Sequence, residues 1–251
     1  MEEYLKQIVQ NTSTVLKPSF QIVLTGNGSR LSSTFSPPLD LHVGCKYEIA
    51  LTSLETYYAI PNIDKTNRQV KVSIKKKLEE ILIPVGCYEL TGINKELERQ
   101  IMSKGGKKGD VILAPNLNTF HCEMTLADGI EVDFTGENSL RTVLGFDDKV
   151  YKEKFNVSEH TVDIMRVNNI MVHLNIIESS YINGRPYPVV YNFFPNCLPG
   201  EKIREAPNTL IYLPVALDVI PHLTSWLTDQ HNNALNLQGE KLTLTFHIRS
   251  C

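Results

Sequence analysis

From Lys241 to Arg249 apolar and polar residues alternate without interruption. Leu242, Leu244, Phe246 and Ile248 fall on one side, and Lys241, Thr243, Thr245, His247 and Arg249 on the other. Successive side chains of a strand point to opposite faces, so this run buries one face and wets the other. That pattern belongs to antiparallel sheets with a solvated face, since parallel strands covered by helices read as continuous apolar runs. The same period marks 20–25, 47–55, 70–75, 119–126 and 169–177, with shorter stretches at 80–84, 87–90, 111–114, 130–134 and 223–227. Turn signals separate them: Gly26-Asn27-Gly28-Ser29, Asp128-Gly129, which predicts a hairpin, and Asn183-Gly184. Ser36-Pro37-Pro38 marks a loop, as does the Pro-rich stretch from Phe193 to Pro207. Leu210 to Val215 is apolar on both faces and predicts a central strand. Strands at this spacing indicate a sandwich or barrel.

Helical spacing occurs in three places. Ile93, Leu97 and Ile101 predict a helix over 93–103, with Asn94 as its N-cap, and Ser139 to Leu144 predicts a second, stopped by Gly145. Leu5, Ile8 and Val9, with Tyr4 beside them, give residues 2–10 weak helical character, and Lys17-Pro18 breaks the pattern. The division expected is therefore an N-terminal arm over 1–17 and one domain over 18–251. The arm is read either as a frayed terminus or as a segment that docks on a neighbouring subunit through those four side chains.

A chain of 251 residues is long enough to bury roughly 70% of its unfolded surface without disulfide or metal staples. Cys45, Cys87, Cys122, Cys197 and Cys251 are odd in number and never in C-x-x-C spacing, which points away from a zinc site or a disulfide framework and toward a reducing compartment. No signal peptide and no apolar stretch of membrane-spanning length occur, so the reading is of a protein that is neither secreted nor membrane-spanning. The net charge of −3 gives no global case for nucleic acid. Positive charge is clustered at Lys75, Lys76 and Lys77 and again at Lys104, Lys107 and Lys108. Such a patch could meet phosphate, or it could be a charged edge that discourages edge-to-edge pairing.

Chemistry-bearing constellations do not emerge. His160 and Asp163 lack a third ligand, His121 and Cys122 point to opposite faces of a strand, and no metal-binding, P-loop or nucleophile-elbow spacing occurs. His173 and His247 fall on the wetted sides of strands as surface histidines. No catalytic, cofactor or metal residue is assigned, and no enzyme is expected. Aromatic residues at Tyr57, Tyr58, Tyr181, Tyr187, Tyr191, Phe193 and Phe194 divide evenly between core packing and interface anchoring.

Six segments, in order, carry a resemblance: Tyr47 to Asn62 (YEIALTSLETYYAIPN), Ile83 to Leu90 (IPVGCYEL), Pro115 to Thr119 (PNLNT), Ser139 to Phe146 (SLRTVLGF), Pro207 to Pro214 (PNTLIYLP) and Gly239 to Ile248 (GEKLTLTFHI). Over about residues 40–249 the chain resembles the minor capsid (penton) proteins of Polinton/Maverick elements and adintoviruses. The resemblance implies an all-β fold: a single jelly-roll sandwich of two antiparallel four-stranded sheets, here with two short helices inserted in loops. It also implies a structural protein of the virion, made inside the host cell. Such a protein forms a homo-oligomer, a pentamer, at the five-fold vertices of an icosahedral shell, beside a double-jelly-roll major capsid protein. The alternative from the sequence is a jelly-roll module that binds a carbohydrate or host protein through loops such as Asn192–Asn196 and Asp229–Asn233.

Overall fold

The computed structural model describes residues 19–41, 45–178 and 180–251. The arm with Tyr4, Leu5, Ile8 and Val9 lies outside the described residues.

Eight strand positions build a sandwich. One sheet runs in the order β1 (Ser19–Asn27), β18 (Lys241–Ser250), β3 (Tyr47–Tyr57), β15 (Lys202–Glu205), with the two-residue β16 (Leu213–Pro214) also on β3. The facing sheet runs β14 (Val189–Phe193), β11 (Ile170–Leu174), β17 (Val219–Thr228), β2 (Arg30–Asp40). Every pairing is antiparallel. The chain crosses between the sheets in the double Greek-key manner of a jelly roll, as expected. The alternation of β18 is the reason it can sit at the centre. Leu242, Leu244, Phe246 and Ile248 are fully buried, and its backbone pairs with β1 on one side and β3 on the other.

Between β3 and β11 the chain leaves the sandwich and builds a second core. Strands β4 (Gln69–Ile74), β5 (Lys77–Leu82), β8 (Val132–Asp133) and β9 (Val150–Tyr151) form one small sheet, and β6 (Val111–Asn116), β7 (His121–Leu126) and β10 (Phe155–Thr161) another. Helix α1 (Leu90–Ser103) and the single turn α2 (Arg141–Leu144) pack with them. Ile93, Leu97 and Ile101 face this core, together with Val70, Val72, Ile74, Cys122, Met124 and Phe134. None of these residues belongs to the sandwich core, which is made by 22–60 and 170–248. The two helices are thus parts of a packed insert. Buried Asn62 ties its root: its side-chain amide donates to the carbonyls of Tyr88 (2.7 Å) and Ile164 (3.0 Å), and its Oδ1 accepts from the Tyr88 amide (2.9 Å).

Several local expectations change. Ser36-Pro37-Pro38 lies inside β2, at the sheet edge, where Thr34 and Leu39 flank a bulge opposite His222 and Ile220. Proline has no N–H to donate and is tolerated at an edge bulge. Residues 87–90 are not a strand: α1 starts at Leu90, with Glu89 at the N-cap position but no side-chain cap, while Asn94 uses its Oδ1 to accept from the Leu113 amide at 2.7 Å. Asp128-Gly129 makes a turn but no hairpin, because β7 and β8 pair in different sheets. The Pro-rich stretch contains β15, one of the eight sandwich strands. His173 and Met171 point outward from β11 yet are buried.

Candidate association surface

The first sheet ends on an edge that is only partly zipped. Glu205 pairs with Leu54 and Leu213 with Ile49, so seven residues, 206–212, lie opposite only Ala50–Ser53 and bow out of the sheet. Leu210 to Val215, whose apolar pattern predicts a central strand, begins inside this bow; only Leu213–Pro214 pairs, and the structure corrects that expectation. Pro207 and Pro214 bracket it and cannot donate to a ladder. Leu210 is exposed, and Ile211 keeps 63% of its surface in solvent. Leu217 and Val219, just beyond, are exposed as well.

Tyr212 pins the bow to the sheet's outer face. Its hydroxyl shares a 2.7 Å hydrogen bond with His247 Nδ1, and the Arg249 guanidinium stacks 3.6 Å from the ring centre. Arg249 in turn donates from Nε to Glu48 at 2.6 Å. His247 therefore has a structural partner on the wetted face. Ile211 is held in place by its neighbour without being covered. At the loop after β14, Phe194 (70% exposed) and Leu198 are also open. The aromatic set divides accordingly: Tyr58 and Phe193 are buried, Tyr191 donates to Glu205 at 2.7 Å, and Tyr57, Tyr181 and Phe194 face solvent.

The two lysine clusters, far apart in sequence, meet at one end of the insert. Lys75 and Lys76 form the two-residue turn between β4 and β5, closed by the pair Ile74 and Lys77. Glu79 accepts from Lys77 at 2.7 Å and from Lys104 at 3.2 Å, and these two bonds hold its carboxyl below the usual range. A Cβ placed on Gly105 would lie 3.0 Å from Lys75 Nζ, which puts the helix end and the turn side by side.

The groups considered for chemistry are occupied otherwise. Cys122 is buried, and burial pushes its thiol up to about 12, leaving no thiolate at neutral pH. His121 Nδ1 bonds the Ser158 carbonyl (2.7 Å), and His160 pairs with Asp147 (3.2 Å) rather than Asp163. No group of three or more His, Cys, Asp or Glu among the described residues could hold a metal ion. A cleft of about 520 Å³ lies between sandwich and insert, lined among others by Asp64, Arg166, Asp229 and His231. Burial raises the carboxyls of Asp64 and Asp229, but hydrogen bonds outweigh it and both end lowered. Asp64 accepts from Thr66 and Arg166, and Asp229 from the amides of His231 and Asn233. Asp64 thus turns its own loop and ties it to Arg166, while Asp229 is engaged within 229–233. Asn192–Asn196, the other candidate binding loop, takes no part in this cleft. No helix of the described residues is long and apolar enough to cross a membrane.

No protein-family model and no curated protein matches the chain. Among solved structures, the chain is similar to the penton protein of mavirus, at 11% identity and a TM-score of 0.49, covering 93% of this chain and 100% of that one. It is also similar to the D2–D3 domains of the flagellar cap protein FliD from Escherichia coli, at 14% identity and a TM-score of 0.23, covering 85% and 100%.

Proposed function

We propose that this chain is a penton-type minor capsid protein. It assembles as a pentamer at the five-fold vertices of an icosahedral virion, next to a double-jelly-roll major capsid protein, and acts by association rather than catalysis. The jelly-roll strand order and the ordered resemblance along residues 40–249 support the reading. The observation that carries it is Ile211. The segment Leu210–Val215 is written as if buried on both sides, yet the single chain leaves Leu210 and Ile211 open at a partly unpaired edge. A second copy supplies the missing burial. Five copies related by a closing rotation make a ring in which this edge of one meets a different face of the next. The N-terminal arm, through Tyr4, Leu5, Ile8 and Val9, reaches the neighbouring subunit. A bowed edge of this kind also keeps strands from pairing indiscriminately before assembly.

The test is native mass by mass photometry over a concentration series, with and without the matching major capsid protein. A five-copy species is expected. Ile211→Asp should abolish it while moving folding stability by no more than about 0.5 kcal/mol, as for an exposed site without special contacts. A protein that stays monomeric alone and shows no affinity for the major capsid protein sinks the reading.

A further inference from the structure

The tip of the insert carries a second, independent surface. The Lys75-Lys76 turn has both central residues at positive φ, 52° and 67°. A two-residue turn with this geometry strongly favours Asn-Gly or Asp-Gly, because Cβ crowds the following carbonyl oxygen in the left-handed region, a clash glycine lacks and Asn or Asp offset with local hydrogen bonds. Lysine is a poor choice for the turn itself. Strain kept where a better local solution exists points to a use for the side chains.

The surroundings say what use. Lys104, Lys107 and Lys108 follow the end of α1 and lie at the same tip. Favourable interaction with the helix C-terminus accounts for Lys104 and its neighbours and for Lys75, whose Nζ lies beside Gly105, but not for Lys76. The nearby carboxylates are already engaged: Glu79 by Lys77 and Lys104, and Asp110 by the Lys107 amide at 2.7 Å. Among the described residues Lys75, Lys76, Lys107 and Lys108 form no ion pair, and all four are exposed. The turn lies at the far end of β4, a six-residue strand roughly 20 Å long. We infer that this tip is a contact site for the phosphate backbone of nucleic acid, read by charge and without sequence preference.

The experiment uses the full chain and a DNA duplex of about 30 base pairs of arbitrary sequence, with affinity followed by fluorescence anisotropy over about 50–200 mM salt. Four unpaired lysines predict a slope of log K against log salt of about −3 to −4. The double variant Lys75→Asn/Lys76→Gly gives the turn its favoured residues. It should therefore melt higher than the parent while its slope weakens by about 2 and its low-salt affinity falls at least tenfold. Binding that is absent in the parent, or unchanged in the variant, overturns the inference. So does a variant that melts lower, since the strain argument then fails. Vesicles of anionic lipid that bind more tightly than the duplex, with the same loss in the variant, would give the surface to membranes instead.

Discussion

A single side chain, His173, should make this fold sensitive to acid. It belongs to a cross-strand row with Trp226 and Arg30 on the outer face of the second sheet. Its ring stacks on the indole at 5.0 Å, Nε2 shares a 2.8 Å hydrogen bond with Thr228 Oγ1, and buried Nδ1 has no partner. Burial pushes its pKa down to about 4 from an ordinary 6.5. A histidine lowered on folding contributes stability that is fully present above the unfolded value and is lost as pH falls toward the folded one. Stability should therefore drop between about pH 6.5 and 4, by up to about 3 kcal/mol if the full shift is expressed. Urea unfolding at stepped pH measures this. His173→Gln should flatten that part of the curve, and an unchanged acid profile in the variant would assign the loss to other groups. The alternation in 169–177 placed this residue on the outward side of its strand, and there it is. What alternation cannot encode is that Trp226, distant in sequence, would cover it.

At the scale of elements, the turn after α2 is the tightest constraint. Gly145 has φ 82° and ends the helix in the left-handed conformation, its amide bonding back to the Arg141 carbonyl at 2.7 Å. A Cβ there would meet the His160 carbonyl oxygen at 2.2 Å, a backbone atom that cannot swing away. Gly145→Ala combines left-handed strain with that clash and should cost at least about 2 kcal/mol in chemical denaturation. A loss under about 0.5 kcal/mol would show that β10 yields more readily than its pairing with β7 suggests. The glycine stop, the helix core residues Ile93, Leu97 and Ile101, and β18 were all legible because each is fixed by local period or backbone freedom. β15 was not, since four residues between prolines carry too little period to separate strand from loop. The Leu210–Val215 pattern misled: none of these residues is buried, and only Leu213–Pro214 pairs with β3. An apolar run reports composition and does not say that the same chain supplies a cover. Of the site itself, the sequence held the two lysine clusters but not their meeting, which depends on how α1 crosses β5.

For the whole molecule, the decisive fact is two cores on one chain. The insert closes its core with residues 63–151, whereas the sandwich joins 22–60 to 170–248. Leu97→Ala, deep in the insert, should cost about 2–5 kcal/mol there. Native-state hydrogen exchange should show that loss in α1 and β6 while β18 and β3 keep their protection; equal loss in both would mean the two cores unfold as one. The sandwich has a different dependence. Its central strand in the first sheet is β18, wedged between β1 and β3, strands synthesised some two hundred residues earlier. Until residues 241–250 have left the ribosome, β1 and β3 have no ladder between them and the sheet stands open as an unfilled slot. The insert, whose contacts are all upstream, is free of that wait. A nascent chain thus carries a finished insert tip on an unfinished sandwich, and any partner that reads the outer face of the first sheet meets only chains translated through that last strand.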